Sequence, residues 1–170
     1  MQKRMMLGCC AVVLLSALPA LAQNAIRSAG SKITGSAYRE WSAQSYHRAA
    51  YGHVEALNEY SRSYSYIPEE TAKEHAAEIR RNITAAKKEI AKLAPKAKDD
   101  KALAKHIETL NTKYDKVLAD CTALETEAAK GEKADGKKIS ESSANMNADL
   151  KTAEAEHKKL GEHLKSIEKK

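Results

Sequence analysis

Seam-forming residues in the last part of this chain recur in alternating steps of four and three. Ile139, Ser143, Met146, Leu150, Ala153, His157, Leu160, Leu164 and Ile167 all obey the rhythm. That spacing puts one narrow stripe on a helix and directs it at partner helices. Two earlier segments keep the same beat: Ala72, Ala76, Ile79, Ile83, Ala86, Ile90 and Leu93, then Leu103, Ile107, Leu110, Tyr114, Val117, Cys121, Leu124 and Ala128. A fourth stripe, in the first helical segment, is broader. Ala43, His47, Ala50, Val54, Leu57, Ser61 and Tyr64 form its seam, flanked by Tyr46, His53 and Tyr60.

Three interruptions separate these segments: Ser61 to Ile67 followed by Pro68, then Ala94-Pro95-Lys96, then Gly131 to Gly136. Pro68 followed by Glu69 and Glu70 suits a helix start, since proline loses no needed donor there and acids meet the positive end of the dipole. Asp99 and Asp100 open the next helix, and Pro95 closes the one before. The pattern predicts an all-α chain with helices over about 37–64, 68–93, 98–130 and 137–169. Short connections make neighbours antiparallel, so the expected architecture is an up-down-up-down four-helix bundle forming a single domain, 37–170. The alternative is a helical hairpin that dimerises as a coiled coil through the same seams.

The front of the chain is of a different kind. Lys3 and Arg4, the apolar run Met5 to Leu18 and the small-x-small motif Ala20-Leu21-Ala22 read as a secretory signal peptide, 1–22. The cysteine of Leu7-Gly8-Cys9 precedes most of that apolar run, whereas a lipid-attachment cysteine follows it. The run is also shorter than the ~20 residues of a membrane-spanning helix. The expected mature chain begins at Gln23 with a flexible polar leader, 23–36, and is secreted or periplasmic.

Cleavage lowers the net charge from +6 by the two positive charges of Lys3 and Arg4. The remaining charges are interspersed, which fits solubility better than nucleic-acid binding. Cys121 is the one cysteine left, so no internal disulfide forms, and its seam position reads as a small buried hydrophobe. Glu74 and Glu78, offset by Lys73, Arg80 and Arg81, belong to a solvated outer face. The Asn82-Ile83-Thr84 sequon sits mid-helix and carries no weight.

All six histidines fall in the expected helices. His47 and His157 occupy seam positions, where an imidazole is costly unless its nitrogens are satisfied. Folding adjacent segments side by side brings His47 opposite His157, and His106 near the level of His163. Glu154 lies one turn from His157. These five residues form the first candidate metal site, and His53, His75 and Glu78 form the second. Facing helices that project His and carboxylate inward are how bundles build metal centres, with Zn, Cu, Ni or Fe as the fitting ions. The single Glu-x-x-His, Glu154 to His157, lacks its counterpart on another helix, which disfavours a di-iron centre. No Cys-x-x-Cys-His exists for covalent haem, leaving non-covalent haem between histidines.

Trp41 and six tyrosines crowd the first helix and its exit. Trp41, Tyr46, Tyr60 and Tyr64 are the candidate partner-binding residues, set against a role in sealing an alanine-rich core. No nucleophile–base pair or phosphate-cradling glycine loop appears, so an enzyme is not expected. Two functions remain. One is an exported bundle that binds a transition metal or haem through inward histidines as carrier, store or sensor. The other is a structural or interaction module of the cell envelope, with the histidines as core packing and an envelope protein or a second copy as partner.

Overall fold

A computed structural model describes residues 35–64 and 67–168. The expected signal peptide and leader residues 23–34 lie outside the described residues. The protein is all-helical, with no strand among those residues. Its elements are α1 (Gly35–Ser63), α2 (Glu69–Ala91), a single turn α3 (Ala94–Ala97), α4 (Lys101–Ala128), a 3-10 turn (Gly131–Lys133) and α5 (Gly136–Ile167). Gly35 and Ser36 therefore belong to α1 rather than to the leader.

Each long helix packs on two others: α1 on α2 and α5, and α4 on α2 and α5. The cross-links show the register. Arg39 near the start of α1 donates to Glu89 near the end of α2 at 2.9 Å. Ser61 late in α1 meets Ser143 early in α5. Lys113 and Asp149 join α4 to α5 at 2.7 Å.

The four-three stripes supply the core. Every seam residue of α2 from Ala72 to Ile90 is buried, as is Leu93 just beyond its end. In α4 all are buried except Ile107, and in α5 all except Ile167, both of which pack half-buried against the core. Full burial of an isoleucine or leucine contributes about 1.5–3 kcal/mol, so these stripes dominate the stability. Asn82 is buried, with its amide donating to the Glu78 carbonyl, which takes the sequon out of solvent. Cys121 is buried, and its thiol donates to the Met146 sulfur at 3.4 Å.

The stripe of α1 departs from expectation at its end. The helix stops at Ser63, so Tyr64 leaves the helical register and is 59% exposed. Ser61 is only half-buried, and Ile67, beyond the break, fills the core instead.

The connections follow local chemistry. Glu69 and Glu70 occupy the first turn of α2 behind Pro68. Pro95 opens α3 instead of merely ending α2, which stops at Ala91. Asp100 caps α4 by accepting from the Leu103 amide at 2.9 Å. Between α4 and α5, Glu127 accepts from Lys130 and from the Asp135 amide, tying both ends of the turn together. Gly131 sits there at φ +60°, a conformation that costs an L side chain about 1 kcal/mol.

Gly131→Ala should therefore destabilise by about 1 kcal/mol, whereas Gly52→Ala on the open face of α1 should stabilise by about 0.5–1 kcal/mol. Urea midpoints that move in opposite directions for the two substitutions would confirm the backbone assignment; the same direction would contradict it.

Candidate functional site

The six histidines resolve into three pairs. His47 on α1 and His157 on α5 are both buried, with ring centroids 5.4 Å apart. Tyr114 of α4 joins them. Its hydroxyl lies 2.6 Å from His157 Nε2 and 3.3 Å from His47 Nδ1, and the side chain is fully buried.

One neutral assignment satisfies this chain. His47 Nδ1–H donates to the tyrosine oxygen, and the tyrosine O–H donates to His157 Nε2. His157 then carries its proton on Nδ1, which points toward Glu40 Oε1 at 3.5 Å, beyond hydrogen-bonding contact. Glu40 and His157 line a groove of about 570 Å³ between α1 and α5, which also contains Glu154.

Electrostatics favour the neutral forms of His47 and Tyr114. Burial, with the neighbouring His157 and Arg48, lowers the pKa of His47 to about 3. Burial and the Glu40 carboxylate push the Tyr114 phenol well above its ordinary value. Burial raises the Cys121 thiol to about 12, so it is protonated at neutral pH and not a nucleophile.

The second pair, His106 on α4 and His163 on α5, has ring centroids 5.8 Å apart, but each ring takes its own carboxylate. His106 Nδ1 meets Glu156 at 2.5 Å, and His163 Nε2 meets Asp100 at 2.7 Å. Burial alone would raise the Glu156 pKa, yet hydrogen bonds from His106 and Lys159 bring it below the usual carboxylate value. The Asp100 pKa is lowered by the Leu103 amide and by His163.

The third pair, His53 and His75, is half-buried between α1 and α2, with Nδ1 atoms 3.2 Å apart. Burial and His53 lower the His75 pKa. Glu78 lines the same groove and pairs with Arg81 at 2.5 Å.

The structure thus brings together His47 with His157, His106 with His163, and His53 with His75. The expected five-residue constellation is not assembled as one site. Glu154 is exposed, and the buried carboxylate of that turn is Glu156, engaged with His106. Among the described residues no group of three or more His, Cys, Asp and Glu could hold a metal ion. Tyr114, Glu40, Glu156 and Asp100 were not singled out from sequence as histidine partners. Tyr114 carried a signal, because a tyrosine on a seam must find a partner for its hydroxyl. Of the candidate partner-binding aromatics, Trp41, Tyr46 and Tyr64 are exposed, while Tyr60 is half-buried with its ring 4.6 Å from that of Tyr64.

Comparison with protein-family models, curated proteins and solved structures returns no match for this chain.

Tyr114→Phe removes the shared hydroxyl from two buried imidazoles and should destabilise by about 1–3 kcal/mol, read from the urea midpoint. A change below about 0.3 kcal/mol would show that the hydroxyl does not hold the pair. Acid acts in the same place. His47 is neutral in the fold and protonates when unfolded, so stability present above about pH 6.5 should fall by roughly 1.4 kcal/mol per pH unit toward about pH 3. His47→Leu should flatten that slope in thermal melts taken between pH 6.5 and 4.5; an unchanged slope would assign the acid sensitivity elsewhere.

Proposed function

We propose that this chain is a non-catalytic helical interaction module of the cell envelope, an up-down-up-down four-helix bundle whose core histidines serve the fold. The observation that carries this reading is the engagement of both His47 and His157 by the Tyr114 hydroxyl. A metal held by these two histidines would have to displace that hydroxyl. A haem would have to part rings whose centroids are 5.4 Å apart in a fully buried core. The bundle arrangement is supported by the cyclic order of helix pairs and by cross-links that run late-to-early between partners.

The partner surface is the outer face of α1 near its start. Tyr38 and Trp41 are exposed there with ring centroids 6.1 Å apart, and Tyr46 lies about two turns beyond Tyr38. Exposed aromatic side chains with a polar edge suit a contact that is partly wet, as protein–protein contacts are. An envelope location rests on the signal-peptide pattern of residues 1–22.

Two measurements test this reading. Protein purified from its native host without chelator should yield no stoichiometric metal or Soret band attributable to His47 and His157. A bound metal or haem lost in the His47→Ala, His157→Ala double variant would overturn the core role. Cross-linking in intact cells should give a discrete adduct that Tyr38→Ala with Trp41→Ala abolishes without changing the melting temperature. An adduct indifferent to both substitutions would remove the α1 face as the contact.

A further inference from the structure

His157 is fully buried, yet its Nδ1 has no hydrogen-bond partner. Turning the ring over would break the bond between Nε2 and the Tyr114 hydroxyl. With Nε2 accepting, Nδ1 carries the proton and is a donor without an acceptor, a costly state for a buried group. Glu40 Oε1 stands beside it at 3.5 Å, too far to accept. A donor and an acceptor thus lie side by side, and both residues line the groove of about 570 Å³ between α1 and α5.

The walls of this groove carry both signs of charge. Arg48, Lys151, Lys158 and Lys165 line it together with Glu154 and Glu162, and none of the six forms an ion pair among the described residues. The other three contacts between long helices are each crossed by a Lys or Arg bound to a carboxylate: Arg39 to Glu89, Arg80 to Glu125, and Lys113 to Asp149. The α1/α5 contact has no such crossing among those residues. A simple anion in the groove meets the three carboxylates of Glu40, Glu154 and Glu162, and a simple cation meets the four cations. A neutral hydroxyl satisfies the donor and acceptor pair but uses none of the charges. A molecule with an anionic acceptor and a cationic donor on neighbouring groups uses both.

We propose that the α1/α5 groove binds an α-amino acid by its head group, whose carboxylate accepts from His157 Nδ1–H while its ammonium donates to Glu40. Arg48 on the α1 wall and Lys158 on the α5 wall supply positive charge for the carboxylate. No large apolar residue lines the groove, so the preferred side chain is polar or charged. Seating the head group requires the Glu40 carboxylate to turn off Gly161, where it rests 3.5 Å from the place of a Cβ. The site uses the tautomer that Tyr114 imposes but shares no residue with the Tyr38 and Trp41 face. It goes beyond the interaction reading, and the two fail separately.

The test is calorimetric titration of the untagged full chain at pH 7.5 with L-glutamate, L-leucine and glutarate, which keeps the carboxylates of glutamate but has no ammonium. L-glutamate should bind with one equivalent, L-leucine several fold more weakly and glutarate at least tenfold more weakly. In nitrogen-15 NMR the His157 Nδ1 proton should move downfield with L-glutamate, as it gains an acceptor. Glu40→Gln should weaken binding at least tenfold without touching the His47–Tyr114–His157 unit, and Arg48→Ala with Lys158→Ala should weaken it several fold. Tyr38→Ala with Trp41→Ala should leave it unchanged. No saturable binding up to about 10 mM L-glutamate would overturn the site. So would undiminished binding in Glu40→Gln, or glutarate binding as tightly as L-glutamate, which would mark a patch for anions alone. Equal binding of L-leucine would overturn the preference for a polar side chain.

Discussion

Each long helix of this protein owns one apolar stripe, and a stripe has to be covered by neighbours on both sides. That constraint governs the rest. An isolated helix of this kind gains little from its own hydrogen bonds, and most helical stability comes from burying an amphipathic face. Alanine at many seam positions lets backbones approach closely, while isoleucine and leucine fill the space between them. The outer faces carry lysine and glutamate in surface pairs worth only fractions of a kcal/mol each. Geometry here is set inside, and solubility outside.

Within that apolar interior the chain inserts polar groups at matched levels. Histidines at two seam positions would be a liability singly. Tyr114 converts them into one connected unit, with every proton in the His47–Tyr114–His157 chain accounted for up to Nδ1 of His157. A connected polar unit in a core specifies register in a way that interchangeable leucines do not, because a shift of one helical turn would leave its members unpaired. The half-buried His106/His163 pair uses a different device, a carboxylate for each ring, which ties it to the start of α4 and across to the neighbouring helix.

Much of this was legible in the residues. The stripes of α2, α4 and α5 were read position by position, because a four-three rhythm has one structural meaning. The levels of the His47/His157 and His106/His163 pairs followed from folding segments side by side at a fixed rise per residue. What the pattern did not carry was anything that depends on crossing geometry. It favoured Glu154, one turn from His157 on the same helix, whereas the carboxylate facing His157 is Glu40 on α1 and the buried one is Glu156 facing α4. It continued the first stripe through Tyr64, since periodicity does not register where a helix stops, and so overlooked Ile67. Asp100 was visible as a helix opener, but its second role toward His163 depends on where α5 passes.

The Tyr114 hydroxyl also has a place in the order of assembly. Its contacts reach across 43 residues to His157 and across 67 to His47. The turn closed by Glu127 joins α4 to α5 through partners three and eight residues apart, so that hairpin has a low entropic barrier to closing. The tyrosine can meet His157 as soon as this hairpin forms. Its contact with His47 needs the first helix to dock as well. The hydroxyl thus has one partner within the α4/α5 hairpin and the other on the distant first helix, so a single oxygen atom ties the local and the long-range parts of the fold together.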